Sequence, residues 1–184
     1  MKKLFILTVI GLFLIPMVSN SFAGIRLGPR LGYYKSQDAD EGNYLVGAGA
    51  RLRFMSLGAE ASIDYKGEKY QDGTLTVRSW PVMASLLYYP LPVLDVYGIA
   101  GFGWYNTTLD YDQDKFPGMK IEDETTQKVG WHFGVGLELP LGTSTKLAAD
   151  VRYVFLDYDF AEMPGAKDQK ANFYAITLGL FFGL

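Results

Sequence analysis

The chain has 184 residues, of which 49% are hydrophobic and 15% aromatic, with 21 Gly and no Cys. This composition excludes a disordered or collagen-like chain, and the lack of Cys excludes a disulfide framework or a cysteine metal site. The 17 Lys and Arg side chains against 20 Asp and Glu give a formal net charge of -3, without the basic excess that neutralises phosphates, so nucleic acid is not an expected partner.

Residues 1–23 have the three regions of a secretory signal peptide. Lys2 and Lys3 form the positive region, residues 4–18 the apolar region, and Ser21 and Ala23 are the small residues that precede a cleavage site. A transmembrane helix is the alternative, but the apolar stretch is shorter than the roughly 20 residues that span a bilayer. We expect cleavage before Gly24, which leaves residues 24–184 as the folded domain.

From Gly24 onward, apolar residues recur at every second position, which is the pattern of half-buried β-strands. In the fourth segment, Leu75 and Val77 are out of phase with Trp80 and the residues that follow it. A β-bulge near Ser79, or a strand that continues above a membrane, would explain this change. The eight alternating segments lie at about 25–33, 43–54, 57–66, 74–89, 94–105, 129–139, 146–155 and 171–184.

The connections between these segments alternate in length. Short turns near Met55, Pro92 and Gly142 alternate with polar loops at 35–42, 67–73, 106–128 and 157–170. An even number of strands, with short turns at one end and long loops at the other, is typical of bacterial outer-membrane barrels. The sequence therefore predicts an all-β protein, an eight-stranded antiparallel up-and-down transmembrane β-barrel.

The less apolar face of each segment indicates which side meets lipid. A secreted soluble barrel is the alternative, but its exterior would carry many Lys and Glu, whereas this face is mostly Gly, Ala and Ser. We therefore assign this face to the lumen, where its few charges must pair to persist. The predicted lumen ionic network comprises Arg26, Arg30, Arg51, Arg53, Glu60, Asp64, Asp95, His132, Glu138, Asp150 and Arg152.

Aromatic residues on the opposite, lipid-facing side collect toward the long-loop ends of the segments. Tyr and Trp are enriched at membrane interfaces, so this position predicts an aromatic girdle. The predicted girdle residues are Tyr33, Tyr44, Tyr65, Trp104, Trp131 and Tyr153.

Three segments carry family motifs, namely YGIAGFGWY at 97–105, GWHFGVGLE at 130–138 and ADVRY at 149–153. With these motifs and its aromatic-alternating end, residues 24–184 resemble the small eight-stranded outer-membrane barrels of the outer-membrane protein A, outer-membrane protein X and opacity-protein type. The resemblance implies a Gram-negative outer membrane, contact with its lipid and lipopolysaccharide, insertion by the barrel assembly machinery, and a monomer. The family's assembly signal usually ends in Phe, whereas this chain ends in Leu184, two places after Phe182.

Residues that could carry catalysis are scarce. His132 is the only His, and its position in the strand points it into the lumen near Glu138 or Arg152. No Ser lies at a neighbouring inward position of the same segment and Cys is absent, so the arrangement for acyl transfer is missing. We expect no enzymatic activity and no cofactor.

One stretch partly matches a calcium-binding loop. Asp110, Asp112 and Asp114 match its first three ligands, but Lys115 stands where Gly is required and Ile121 where the bidentate Glu belongs. We expect no metal site, with a weak surface cation site at these three Asp as the alternative.

Three functions fit such a barrel. The first is a structural or surface-interaction protein of adhesion type, in which a filled lumen supports long loops, especially 106–128, that meet an extracellular partner. The alternative is a narrow channel for small solutes, since side chains just fill the interior of eight strands unless small residues open it. An outer-membrane enzyme ranks last.

Overall fold

The protein is an eight-stranded antiparallel barrel, which confirms the predicted fold class. The computed structural model describes residues 24–36, 42–70, 75–91, 94–111, 124–156 and 172–184. Each strand pairs with the next, and β8 pairs with β1 to close the barrel. The strands are β1 Arg26–Ser36, β2 Asn43–Phe54, β3 Leu57–Tyr70, β4 Leu75–Leu91, β5 Val96–Tyr111, β6 Glu124–Pro140, β7 Thr145–Phe155 and β8 Phe173–Gly183.

Side chains alternate between the two surfaces of the wall, as the two-residue period requires. In β1, Leu27 and Leu31 are exposed on the outside, whereas Arg30 between them is buried in the lumen. In β6, Val135 is exposed and His132 is buried. The described part of the chain contains no helix long and apolar enough to cross a membrane. The predicted signal peptide, residues 1–23, lies outside the described residues.

Four strands extend further at their long-loop ends than the sequence pattern predicts. Strand β1 continues to Ser36 and β3 to Tyr70, so the predicted loops 35–42 and 67–73 begin too early. The predicted loop 106–128 is wrong at both ends, because β5 continues to Tyr111 and β6 already begins at Glu124. Polar side chains join these extensions, with Gln127 Nε2 2.7 Å from Asn106 Oδ1. The alternation of apolar residues ends where both faces of a strand meet water, but the backbone hydrogen bonds between strands continue, so hydropathy predicts strands that are too short.

Strand β4 has no register shift at Ser79. Ser79 pairs with Lys66 of β3 and with Thr107 of β5 in ladders whose register is continuous through this position. The irregularity lies instead between Tyr88 and Leu91, beside the short turn to β5. Of the two explanations for the change of phase, a strand that continues beyond the apolar band agrees with this pairing.

The lumen contains two apolar clusters at different heights. One lies toward the short turns and comprises Leu87, Tyr89, Tyr97 and Ile99. The other lies toward the long loops and comprises Tyr34, Leu45, Met83, Tyr105, Val154, Leu156, Phe173 and Ala175. Charged side chains occupy the space between them.

Candidate functional site

A single carboxylate, that of Glu60 on β3, lies at the centre of the lumen. Its Oε1 is 2.9 Å from Nη1 of Arg30 and 2.8 Å from Nη2 of Arg152. Its Oε2 is 2.5 Å from Nε of Arg51. The Glu60 side chain is 0% exposed. A buried charge is tolerated only when paired and hydrogen-bonded, and these three guanidinium groups meet that condition.

Asp150 on β7 is the second centre of the network. Its Oδ1 accepts hydrogen bonds from Arg152 Nε and from Thr177 Oγ1, both at 2.7 Å. Its Oδ2 lies 3.1 Å from Arg152 Nη2 and 3.2 Å from Arg51 Nη2. The carboxylate therefore connects β7 to β2 and β8 across the interior of the barrel.

Glu138 on β6 extends the network toward the short turns. Its Oε1 accepts hydrogen bonds from Arg51 Nη1 at 3.0 Å and from the Tyr89 hydroxyl at 2.9 Å. Its Oε2 lies 2.9 Å from Nζ of Lys146. Arg51 thus contacts the carboxylates of Glu60, Asp150 and Glu138 at once.

Asp95 closes the network at the short-turn mouth. It precedes β5 and forms ion pairs with Arg53 and, at 3.0 Å, with Nζ of Lys146. Partial burial raises the pKa of Asp95, but the hydrogen bonds from Arg53 and Lys146 outweigh it and hold the pKa below its ordinary value of 3.8. The carboxylate is therefore charged at neutral pH, as its two cationic partners require.

Aromatic rings fill the lumen above and below these charges. The guanidinium of Arg51 lies 4.4 Å from the ring centre of Phe181, and that of Arg53 lies 3.8 Å from Tyr89. Toward the long loops, Nζ of Lys66 lies 3.9 Å from the ring centre of Phe173. Cations over aromatic faces are attracted to the ring quadrupole, so these contacts bind the charged layer to the apolar clusters.

A small cavity separates the charged layer from the cluster nearer the long loops. Its volume is about 20 Å³, and Arg30, Asp64, Lys66, Tyr105 and Phe173 are among its lining residues. Such a volume holds about one water molecule. In the described lumen, Oδ1 of Asp64 is buried without a hydrogen-bond partner beside this cavity.

His132 forms a pair that sequence reasoning missed. Its Nε2 lies 2.8 Å from Oγ of Ser85, which is on β4, two strands away. The backbone of Gly101 on β5 lies between them, and a Cβ added there would stand 2.6 Å from Nε2. The sequence argument against acyl transfer concerned Ser on the strand of His132, whereas Ser85 is on β4. The alternation of residues along β4 places Ser85 on the inward face, and this was the signal that could have identified it.

The geometry of this pair differs from that of a catalytic dyad. Within the described residues, Nδ1 of His132 is buried without a hydrogen-bond partner, so no carboxylate orients the ring. His132 itself is 0% exposed. Glu138, one of its expected neighbours, is engaged by Arg51, Tyr89 and Lys146 instead.

Arg26 and Asp64 differ from the other predicted lumen residues. Arg26 has no ion pair among the described residues, and its Nε has no hydrogen-bond partner there. The reason is its register, since Arg26 lies directly opposite Arg51 and thus faces a like charge. Among the described residues, the one ion pair of Asp64 is with Nε of Arg30, at 3.8 Å. The ion pairs unite the remaining predicted charged residues, which are Arg30, Arg51, Arg53, Glu60, Asp95, Glu138, Asp150 and Arg152.

Several members of the network were not predicted. Lys146 and Tyr97 lie on the face assigned to the lumen, but the predicted network contains Arg, Asp, Glu and His residues alone. Tyr89, Ser85 and Thr177 also point inward and hydrogen-bond the charged groups. The two-residue alternation along each strand places all five on the inward face, which is the sequence signal for them.

The described residues contain no group of three or more His, Asp or Glu that could hold a metal ion. Of the partial calcium motif, Asp112 and Asp114 lie outside the described residues. The weak cation site at these positions therefore stays a prediction.

Aromatic side chains surround the outside of the barrel near the long-loop ends of the strands. Tyr33 and Tyr44 are paired in register, with ring centres 5.9 Å apart. The ring of Tyr65 lies 4.4 Å from that of Trp80. The predicted girdle residues on β5, β6 and β7 also have outward aromatic neighbours, in the pairs Trp104 with Phe102, Trp131 with Phe102, and Tyr153 with Phe155.

Comparisons with known proteins agree with this geometry. Residues 5–182 match the model of the outer membrane protein beta-barrel domain family. No curated protein matches the chain.

Solved structures show the same fold. Neisserial surface protein A aligns over 90% of this chain and 100% of its own, with 13% identity and a TM-score of 0.63. A major outer membrane protein from Thermus thermophilus aligns over 87% and 99%, with 13% identity and a TM-score of 0.59. Ail, the attachment invasion locus protein of Yersinia pestis, aligns over 90% and 100%, with 15% identity and a TM-score of 0.55. The chain belongs to the outer membrane protein beta-barrel domain family and is a bacterial outer-membrane protein.

Proposed function

We propose that this barrel is a non-conducting scaffold in the outer membrane of a Gram-negative bacterium, and that its long extracellular loops carry a surface-interaction function of adhesion type. The observation that carries the proposal is the lumen network around Glu60, Asp150 and Glu138. We further propose that the barrel is a monomer, inserted by the barrel assembly machinery and surrounded by phospholipid and lipopolysaccharide.

The network obstructs passage through the barrel. Arg51 reaches from β2 to acids on β3, β6 and β7, while Arg30 and Arg152 reach Glu60 from β1 and β7. An ion that crossed this layer would have to separate buried ion pairs. This is costly, because no water is there to solvate the separated charges. Aromatic contacts lie on both sides of the layer, and the cavity at its upper edge has a volume of about 20 Å³. A narrow channel is the alternative, and it would require this layer to rearrange.

The scaffold places chemistry suited to recognition outside the membrane. Outer-membrane barrels have their longer loops on the extracellular side. The segments 112–123 and 157–171 contain Phe116, Met119, Tyr158, Phe160 and Met163 among their charged residues. Aromatic residues and Met are enriched in protein interfaces. The paired extensions of β5 and β6 carry the ends of segment 112–123 beyond the girdle.

An enzymatic function finds no support in the Ser85 and His132 pair. Both residues are buried in the lumen, away from the lipid that an outer-membrane enzyme would attack. The ring nitrogen of His132 that an acid would orient has no partner among the described residues. We therefore propose that the pair is structural.

Two measurements on the same protein test this function. The wild type should give no steady conductance in planar bilayers. Cells that display it should bind host cells or a sulfated-polysaccharide surface more than cells that display a variant with 157–171 replaced by a short Gly-Ser turn. The crystal structure of Ail holds the heparin analogue sucrose octasulfate, so heparin is a suitable first probe. A steadily conducting wild type, or binding that ignores replacement of both 157–171 and 112–123, would contradict the proposal.

A further inference from the structure

We propose that the long-loop end of the lumen contains a binding site for an alkylammonium ion. Three aromatic rings and a buried carboxylate form this site, and the side chain of Lys66 fills it from within the chain. The inference goes beyond the surface-interaction function of the loops and does not rest on it.

The three rings come from three strands and surround one ammonium group. Nζ of Lys66, on β3, lies 3.9 Å from the ring centre of Phe173 on β8. It lies 4.7 Å from the ring centre of Tyr34 on β1 and 5.7 Å from that of Tyr105 on β5. A cation within ~6 Å of a ring centre is attracted by the quadrupole of the ring. All three rings are within that limit, so Lys66 connects β3 to three other strands through its charge.

The rings stand at steep angles to one another and form walls around the ammonium group. The planes of Tyr34 and Phe173 meet at 69°, and those of Tyr105 and Phe173 meet at 82°. All three side chains are at most 5% exposed. Because these edge-to-face contacts and this burial hold the rings in place, a cation that binds between them has little ordering of side chains to achieve.

Asp64 supplies an independent observation. Its side chain is 2% exposed, and its Oδ1 is buried without a hydrogen-bond partner among the described residues. Asp64 and Lys66 are two positions apart on β3 and therefore share its inward face, and both line the cavity of about 20 Å³. An ammonium group has three N–H donors and no acceptor. It can supply the hydrogen bond that this oxygen lacks, directly or through one water molecule in the cavity.

The charge at position 66 distinguishes this site from an apolar plug. An apolar side chain would fill the same space without the cost of removing an ammonium group from water. The rings and the carboxylate compensate for that cost, and they do so through interactions that an uncharged group cannot make. The ligand class that fits the site is therefore a primary alkylammonium ion.

Removal of the occupant tests the site. Lys66→Ala deletes Cγ, Cδ, Cε and Nζ, which together correspond to n-propylammonium, so this ion is the probe. It should raise the urea midpoint of Lys66→Ala in lipid vesicles in a saturable way, at constant ionic strength. At about ten times its dissociation constant, a ligand that binds only the folded state raises the folded-to-unfolded ratio about 11-fold. The uncharged analogue 1-propanol should give no saturable increase.

Two proteins serve as controls. The wild type should not respond to n-propylammonium, because Lys66 already occupies the site. Lys66→Ala combined with Phe173→Leu should not respond either, because one wall of the site is gone. The proposal would be overturned if folded Lys66→Ala showed no response, if 1-propanol stabilised it as much as the amine, or if either control responded as strongly as Lys66→Ala.

Chemical reactivity tests the site with Lys66 in place, whether or not Lys66→Ala folds. The rings should shield the amine from acetic anhydride, so Phe173→Leu should raise the acetylation rate of Lys66 several-fold, measured by mass spectrometry of its peptide. Phe155→Leu makes the same change at an exposed position on the outer surface and should leave the rate unchanged. A rate that is equal in the wild type and Phe173→Leu, or that rises as much in Phe155→Leu, would contradict the proposal. Neither test depends on adhesion or conductance.

Discussion

Arg51 and Glu60 are cross-strand partners in the β2–β3 register, and their side chains meet in the lumen with Nε 2.5 Å from Oε2. Arg30 and Arg152 approach the other oxygen of the same carboxylate from β1 and β7. One acid thus neutralises parts of three buried cations. Removal of Glu60 would leave three buried guanidinium groups without the carboxylate that they share.

Glu60→Ala should therefore be among the most destabilising single substitutions in the barrel. Removing one partner of a buried ion pair costs about 3–5 kcal/mol, because the other charge stays buried without compensation. Reversible urea unfolding from lipid vesicles would measure the free energy. The substitution Lys115→Ala, in the segment between β5 and β6, is the control and should lie within about 0.5 kcal/mol of the wild type. Equal effects would mean that Glu60 does not neutralise the three arginines.

Asp95 predicts an acid-dependent contribution to stability. Its pKa is held below the ordinary value of 3.8 in the folded barrel, so the folded state binds the proton less tightly than the unfolded state. The stabilisation by Arg53 and Lys146 is therefore fully present well above pH 3.8 and is lost as the pH falls through the lower, folded pKa. Asp95→Asn should be less stable than the wild type at pH 7, and the difference should shrink below pH 4. A difference that is constant from pH 7 to pH 2 in unfolding experiments would contradict this.

The wall of the barrel could be predicted from the sequence more completely than its contents. Alternation along β1, β2 and β6 assigns side chains such as Leu31 and Arg30 to opposite faces, since a strand has only two faces. The partner of a lumen charge depends on which strands face each other across the barrel and how far a side chain reaches. Arg51 contacts Glu138, which is 87 residues away in sequence, and a local sequence pattern cannot predict a contact at that separation.

The same dependence on distant strands explains why Arg26 was wrongly expected to form an ion pair and why Lys146 was missed. Both lie on the inward face, but the predicted network includes Arg26 and omits Lys146. The register places Arg26 opposite Arg51, whereas Lys146 lies within 3.0 Å of both Asp95 and Glu138. The Ser85 and His132 pair also crosses an intervening strand and depends on the missing side chain of Gly101. The two-residue period predicts which face a side chain lies on, whereas its contact partners depend on how the closed barrel brings distant strands together.

The assignment of the outer face predicts a depth dependence on β6. Val135 and Val129 are both outward, 63% and 55% exposed, but Val135 lies mid-strand and Val129 pairs with the girdle residue Trp104. Val135→Arg should cost about 2–4 kcal/mol and Val129→Arg about 0–1 kcal/mol, because an interfacial Arg reaches water. Unfolding from vesicles would compare the two. Equal costs would mean that the face or the membrane depth is wrong.

The structural reading of His132 can be tested by a double-mutant cycle. Ser85→Ala removes the one hydrogen-bond partner recorded for the ring among the described residues and should cost about 1–3 kcal/mol. Adding His132→Leu should recover part of that loss, since the unpaired imidazole is then gone. Lipid A and phospholipid masses in cells should be the same for wild type and both variants. A mass change that requires Ser85 or His132 would instead establish an enzyme.

Conductance distinguishes the scaffold from the channel. If the network plugs the lumen, the wild type should be silent in planar bilayers, and Glu138→Ala or Arg152→Ala should leak. Glu138→Ala removes one carboxylate partner from Lys146 and from Arg51, and Arg152→Ala removes one guanidinium partner from Glu60 and from Asp150. Water can then enter to solvate the charges that have lost a partner. The control Lys115→Ala, in the segment between β5 and β6, should stay silent. Because both lumen variants are also destabilised, each must first be shown to be folded by its β-sheet circular dichroism. A silent wild type with leaking, folded variants supports a plugged barrel whose loops carry the function, whereas large steady currents unchanged by either substitution would favour the channel.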